Sequence, residues 1–434
     1  MRVPPLAAVW RQFVWLVAAL AAGAGALWFI FAERWSLSFA AQLREHSPLL
    51  GALLLWIGMI VIMRLRDRVF PGTEGTGIPQ AIAALKLAPG PERSHLLSVR
   101  ILIGKLLLLT LALFAGATVG REGPTVHVAA CCLHVATRVA TFSPQFVERG
   151  LILAGGAGGI AAAFNAPVAG IIFAIEEIGR GFQKENASVI VRTALVACLV
   201  CLAVLGWYLF YGDVGAVRHA PRVWLWVPFI GLGGGLLGGI FARAVAVATP
   251  RVSRLNRRCP YAVAAALGLG LAVLALISDG MTYGGGDPEV RAILRGESVP
   301  GFYPLAKASA SFLALISGIP GGLFAPSLSV GAGLGQLIAA FAVGVTPQDI
   351  VLLTMAAYFA GVVQSPLTAA IILVEMTNAR YLLLPLLAST VLAYHGSRLV
   401  CPVGIYEALA DAIVGRLRRS TPGRLRSETS RIEE

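Results

Sequence analysis

One glutamate set among glycine and proline is where this chain first offers chemistry. Gly120-Arg121-Glu122-Gly123-Pro124 lies where a loop enters an apolar stretch. Its proline suits the first turn of a helix, where the missing N–H costs nothing. Gly75-Thr76-Gly77-Ile78-Pro79 and Gly322-Leu323-Phe324-Ala325-Pro326 have the same character. Each predicts a helix N-terminus, with unpaired backbone N–H groups and the positive end of the helix dipole facing outward. Glycine lets a small ion approach the backbone. Alone, each segment is more simply an ordinary start of a helix. Three of them converging would hold an anion without a full positive charge, weakly enough for release. Glu122 would sit at the mouth of that site. Ionised, its carboxylate can take the anion's place; protonated, it can swing aside. The plainer alternative is a cap on free N–H groups.

Other residues leave two readings open. Glu176 and Glu177 end an apolar helix that starts near Pro167, with Gly179, Arg180 and Lys184 after them. They are either solvated charges at a cytoplasmic helix end or acids through which protons reach Glu122. Lys105, inside the apolar run 101–118, either snorkels or raises the potential along a pore. His127, five residues past the gate, reads as a packed helical histidine. Cys198 and Cys201 have C-x-x-C spacing inside an apolar run and read as small core residues rather than a redox or zinc pair. No H-E-x-x-H or G-x-S-x-G pattern suggests an enzyme. Neither a metal nor a cofactor is expected.

The elements that must position these residues are membrane helices. Charged residues are 13% of 434 positions against 57% hydrophobic, and mean hydropathy is +0.79. A soluble domain carries about 25% charged residues, so lipid is the expected solvent. The apolar residues fall in blocks at 13–31, 49–63, 101–118, 189–209, 223–247, 262–277 and 382–393. Some reach the roughly 20 residues of a spanning helix; others are shorter and cut by Gly and Pro, which predicts tilted and broken helices. The first block, though preceded by Arg11, is too long for a signal peptide and reads as a retained helix. The net charge of +13 sits between apolar blocks and near the end: Arg64, Arg66 and Arg68; Arg251, Arg254, Arg257 and Arg258; Arg416, Arg418, Arg419, Arg424 and Arg426. The positive-inside rule places the 251–258 loop and the C-terminus in the cytoplasm. With no aromatic-basic module, nucleic acid is not the expected partner.

Two segments about 200 residues apart also look alike. From Pro124 to Pro167 is 43 residues, and from Pro326 to Pro366 is 40. Each later proline opens a similar helix, Pro167-Val-Ala-Gly-Ile-Ile-Phe-Ala-Ile-Glu176 and Pro366-Leu-Thr-Ala-Ala-Ile-Ile-Leu-Val-Glu375. Such an internal repeat suggests a transporter or channel with its site where the halves meet, parallel and inverted repeats both remaining open. The runs Gly155 to Gly159 and Gly331 to Gly335, and the pair Gly235 and Gly239, read as helix-packing surfaces.

Together these residues resemble the CLC family of chloride channels and proton-coupled exchangers, over roughly 70–407. Gly75 to Pro79 is similar to the signature G-S-G-I-P, with Thr76 where serine is usual. Gly120 to Pro124 matches G-K/R-E-G-P, and Gly322 to Pro326 matches G-x-F-x-P. Phe164-Asn165-Ala166-Pro167 and Tyr406 also fall where the family has them. The resemblance implies an all-α integral membrane fold of two inverted-topology repeats, in a homodimer with one pore per subunit. It implies a transmembrane anion-transport domain over 1–407, with halves at about 12–210 and 222–407. A basic cytoplasmic tail over 408–434 would follow, in a multi-pass protein of the cell membrane. The central anion would be held by the hydroxyls of Thr76 and Tyr406 and the backbone N–H groups of Leu323 and Phe324, with Gly123 beside them. Glu122 would be the external gate and proton acceptor and Glu177 the internal proton glutamate; Lys105 and Arg121 would set the pore's electrostatics. Helices starting near Pro167, Val189, Pro366 and Leu382 would form the dimer interface. Thr76 keeps a hydroxyl but adds a methyl group, at a position where the family tunes anion choice; chloride over nitrate is expected. Tyr406 and the near-standard first signature argue against fluoride. The 28 residues after Tyr406 are too few for a regulatory nucleotide-binding domain, so no nucleotide is expected. The implied function is chloride transport coupled to proton antiport, with a passive voltage- or pH-gated chloride channel as the alternative.

Overall fold

The computed structural model describes residues 5–140, 142, 145–179, 184–215 and 221–420. Arg180, Arg424 and Arg426 of the basic groups above lie outside them. The first half comprises α1 (Pro5–His46), α2 (Pro48–Arg68), α3 (Ile78–Lys86), α4 (Pro91–Leu96), α5 (Val99–Phe114), α6 (Glu122–Val139), α7 (Gln145–Phe164), α8 (Pro167–Phe173), prolonged by a π-helical turn over Ala174–Ile178, and α9 (Lys184–Leu205). The second comprises α10 (Val223–Arg258), α11 (Pro260–Ile277), α12 (Asp287–Leu294), α13 (Tyr303–Ser317), α14 (Phe324–Ala339), α15 (Pro347–Val363), α16 (Pro366–Thr377) and α17 (Leu383–Val400), after which comes α18 (Ile405–Ser420).

Six of these stretches are long and apolar enough to cross a membrane, among them Leu6–His46 and Val223–Arg258. With 42 residues, α1 is about 60 Å long at 1.5 Å per residue, twice the hydrocarbon thickness of about 30 Å, so it has length to span with tilt or to extend beyond the bilayer. By contrast α14, α15 and α16 are apolar but shorter. They are tolerated at membrane depth because protein, not lipid, surrounds their ends. The packing inverts the soluble rule on α10: Gly231, Gly234, Gly235 and Gly238 are buried, whereas Leu225, Phe229, Leu232 and Ile240 are exposed. Small residues let the backbones meet while large ones face lipid. A Cβ on Gly239 would lie 2.9 Å from the backbone of Ser397, and one on Gly155, Gly331 or Gly335 would lie 2.6 Å from a neighbouring helix backbone. The glycine runs are packing surfaces, as expected.

The relation between the halves, left open by the repeat alone, is resolved at two places. Gly120 and Gly322, equivalent in the two motifs, form an isolated antiparallel bridge, with N···O distances of 2.9 and 2.6 Å. Farther along, Glu176 accepts from the N–H groups of Leu367 and Thr368 at 3.0 and 2.8 Å and from the Thr368 hydroxyl at 2.7 Å. Glu375 accepts from the N–H groups of Val168 and Ala169 at 3.2 and 2.7 Å. Each half thus caps the other half's helix, so α8 and α16 run antiparallel. Equivalent residues that bond reciprocally in this sense make the repeats inverted.

Two expectations change. Arg66 does not belong to an exposed basic loop: it is 4% exposed, bonds the Ser317 carbonyl at 2.6 Å and pairs with Asp67 at 2.7 Å. The helix carrying Tyr406 runs across the expected boundary at 407. It continues to Ser420, burying Ala410 and Val414, so the described part of 408–434 is continuous with the membrane domain. Lys86 at the end of α3 pairs with Asp411 at 2.6 Å across this join.

Candidate functional site

All three glycine-proline segments head helices. Before α3, Gly77 takes the left-handed conformation, with φ of +96°, and packs against the His127 side chain. Here glycine is required twice, for conformation and for space. His127 hydrogen-bonds through Nε2 to the Leu96 carbonyl at 2.9 Å, so it packs, as its sequence context suggests. Thr76, 4% exposed, accepts the Ile78 N–H on its hydroxyl at 3.3 Å, leaving the hydroxyl hydrogen to donate elsewhere. A Cβ on Gly123 would lie 2.8 Å from the Thr76 carbonyl oxygen, so α3 and α6 meet end to end at these two residues.

Glu122 is fully buried. Its carboxylate lies against Gly120 and Gly322, with Oε2 2.6 Å from where a Gly322 Cβ would be. The bridge between the halves therefore forms the floor beneath this carboxylate. Among the described residues, no other side chain holds either oxygen. An acid buried at membrane depth without a counter-ion costs several kcal/mol if ionised, and what offsets that here is the positive end of its own helix.

Across the bridge, the equivalent position is Phe324. Its ring packs on Phe359, Phe173 and Tyr406 with centroids at 4.7, 5.5 and 6.3 Å. Leu323 and Phe324 are 1% and 0% exposed and head α14. The Tyr406 hydroxyl is buried, with no hydrogen-bond partner among the described residues.

The neighbouring charges are tied down. Lys105 is fully buried and donates to the Gly75 carbonyl at 2.5 Å; it does not snorkel but fastens the loop before α3. Arg121 turns its guanidinium to Glu33 at 2.8 Å and the Ala163 carbonyl at 3.3 Å, with Phe210 5.2 Å away. Its charge is thus compensated rather than free. Glu176 is spoken for by α16, as described, and is not a solvated helix end. Glu177, 2% exposed, takes a hydrogen bond from the Ser365 hydroxyl at 2.6 Å. Cys198 donates to Asn165 at 3.2 Å and Cys201 to the Gly23 carbonyl at 3.8 Å, as core residues do.

Sequence reasoning missed Glu33, Ser365 and Lys307. The last had a signal: it stands 17 residues before Phe324, as Lys105 stands 17 before Glu122. Lys307 is fully buried and donates to the carbonyls of Thr282, Tyr283 and Gly284 at 3.1, 3.1 and 3.0 Å. That loop leads through Gly286, at φ of +90°, into α12, as the loop held by Lys105 leads through Gly77 into α3.

Residues 57–398 match the profile of a family described as voltage gated chloride channel. The chain is 29% identical over 384 residues to the H(+)/Cl(-) exchange transporter ClcA of Vibrio parahaemolyticus, covering 84% of this chain and 79% of that protein. To the H(+)/Cl(-) exchange transporter ClcA of Vibrio cholerae it is 29% identical over 379 residues, covering 83% and 78%. Among solved structures, a slow cyanobacterial Cl-/H+ antiporter superposes with a TM-score of 0.82 at 24% identity, over 95% of this chain and 99% of that one. A CLC-type fluoride/proton antiporter gives 0.79 at 22%, over 94% and 99%. These last two likenesses are of fold.

Proposed function

The chain belongs to the voltage gated chloride channel family, and on that premise we propose that it exchanges chloride for protons across the cell membrane. The observation that carries this reading is the Glu122 carboxylate, fully buried at a helix N-terminus and, among the described residues, held by no other side chain. A carboxylate there competes with an anion for the same N–H groups. When it takes a proton it loses its attraction to them and yields the place. One residue then alternates between blocking chloride and carrying a proton, which couples the two fluxes. Thr76 and Tyr406 offer hydroxyl donors to the anion, and Leu323, Phe324 and Gly123 offer backbone close by. Glu177, held by Ser365, supplies the proton from the cytoplasmic side. The relatives above are named as proton-coupled chloride transporters, which favours an exchanger over a passive channel and a transporter over an enzyme. Chloride rather than fluoride is the anion the Thr76 and Tyr406 hydroxyls suit.

Exposed Arg251, Arg254, Arg257 and Arg258, with Arg416, Arg418 and Arg419 on α18, support a cytoplasmic C-terminus. Exposed Val168, Leu195, Leu367 and Leu384 on α8, α9, α16 and α17 support a homodimer interface there.

The test is flux from purified protein in chloride-loaded liposomes, with chloride and external pH recorded together. An imposed chloride gradient should drive protons uphill. Glu122→Ala should abolish proton movement while chloride still flows. Chloride flux without protons in the unaltered protein would give the channel reading instead, and loss of both fluxes in Glu122→Ala would remove Glu122 from the gate.

A further inference from the structure

The two hydroxyls read above as anion donors sit on helices from opposite ends of the chain. Thr76 stands just ahead of α3, and Tyr406 is in the first turn of α18. The Tyr406 hydroxyl has no hydrogen-bond partner among the described residues, so its place is set by how α18 lies on the rest of the protein. That helix packs on α3, α10 and α15. The face it uses is apolar: Ile405, Ala410 and Val414 are buried, and Leu409, Ile413 and Leu417 lie against the core. Apolar burial holds a helix down but is non-directional, so it resists sliding and turning only weakly.

A directional contact comes from Lys86, in the last turn of α3. Its ammonium lies 2.6 Å from Asp411 Oδ1 and 3.5 Å from Glu407 Oε1. Glu407 and Asp411 are four residues apart and therefore share one face of α18. Both lie within about one and a half helical turns of Tyr406. The side chains of Lys86, Glu407 and Asp411 are 35%, 27% and 57% exposed, so the group adds little to stability. What it supplies is register: turning α18 by one residue would swing both acids about 100° away from Lys86. The other end of α3 is already fixed. Lys105 donates to the Gly75 carbonyl, and Gly123 abuts the Thr76 carbonyl. The short helix α3 is thus a rod pinned at Thr76 and joined at its far end to α18.

Resting on the chloride reading above, we propose that Lys86 is a positioning residue for anion binding. By bridging Glu407 and Asp411 it sets the register of α18 against α3, and so the place of the Tyr406 hydroxyl relative to Thr76. Lys86 acts through Tyr406 and not on the anion. A cation near an anion path could instead act by attraction at a distance, and the two roles differ in sign at Asp411. Replacing that acid by a cation strengthens attraction but breaks the register.

The experiment is chloride titration of the purified protein by calorimetry at low, fixed ionic strength, for Lys86→Glu, Asp411→Lys and the two together. Each single variant should weaken chloride binding about fivefold, the equilibrium equivalent of one exposed ion pair. The charge-swapped double variant should restore it. In a Tyr406→Phe background, Lys86→Glu should cost nothing further, because register then has no hydroxyl to place. Asp411→Lys that binds chloride as tightly as unaltered protein, or more tightly, overturns the proposal. So does a double variant no tighter than the singles, or a full further loss in the Tyr406→Phe background. Should Lys86→Glu fail to fold, Asp411→Lys, a change at an exposed position, decides alone: weakening upholds the role and anything else overturns it. Unaltered protein that binds no chloride overturns the chloride reading and the proposal together. Unaltered protein that binds it, with variants equal to it, overturns the positioning role only.

Discussion

The two halves of this protein share a scaffold and differ in chemistry. Both have a lysine 17 residues ahead of the central helix, a left-handed glycine before a short proline-containing helix, and a left-handed residue, Asn165 or Gln364, before the paired helices α8 and α16. At the centre the first half has Thr76 and Glu122, and the second has Gly285 and Phe324. What recurs is what an anion path needs for shape, namely helix ends held in place by backbone bonds. What differs is the titratable group, placed beneath one helix end and replaced by an aromatic cluster at the other. On the function proposed above, symmetric halves would bind an anion, and the asymmetry is what lets a proton decide when.

That contrast can be pressed at three points, beginning with the lysines. Lys307→Met leaves three buried carbonyls without their donor and Lys105→Met leaves one. At about 1 kcal/mol or more per orphaned group, Lys307→Met should cost about 3 kcal/mol and Lys105→Met about a third of that. Thermal unfolding in detergent measures the difference, and equal costs would mean that the number of carbonyls each lysine holds does not set its contribution. The caps come next. Glu176→Gln weakens three charge-assisted bonds and Glu375→Gln two, so losses of about 1–2 kcal/mol are expected, the former larger. The pair should be non-additive in a double-mutant cycle, since each cap helps to hold its partner's helix. The smallest effect is Ser365→Ala, which removes the donor to Glu177. It should slow proton flux a few-fold, about 1 kcal/mol of barrier, with chloride flux nearly kept. Ala166→Ser, the mirror change, should move neither flux, because Met376 stands where Glu177 would be.

Much of this design was legible before any coordinates. The glycine-proline segments are local signals, and the helices start within two or three residues of where those signals stand. The Pro-to-Glu repeat pointed to paired halves. What stayed hidden is long-range. Glu33 meets Arg121, and Ser365 meets Glu177 from 188 positions away, through packing that no spacing rule encodes. Arg66 and Glu176 misled for the same reason: at a helix end a charge reads as solvated until another half of the molecule is folded over it. Lys105, inside an apolar run, left snorkelling and a pore potential both open, and its bond to the Gly75 carbonyl removes the first.

The bridge between Gly120 and Gly322 also limits how the protein can work as a machine. Transporters that rock one repeat against the other open and close at the seam between them. Here the seam is stitched by two backbone bonds directly beneath the Glu122 carboxylate and by reciprocal carboxylate caps farther along. A rocking stroke would have to tear both at every cycle. In the exchange proposed above, the working stroke is then the length of one glutamate side chain, with the repeats as its fixed frame.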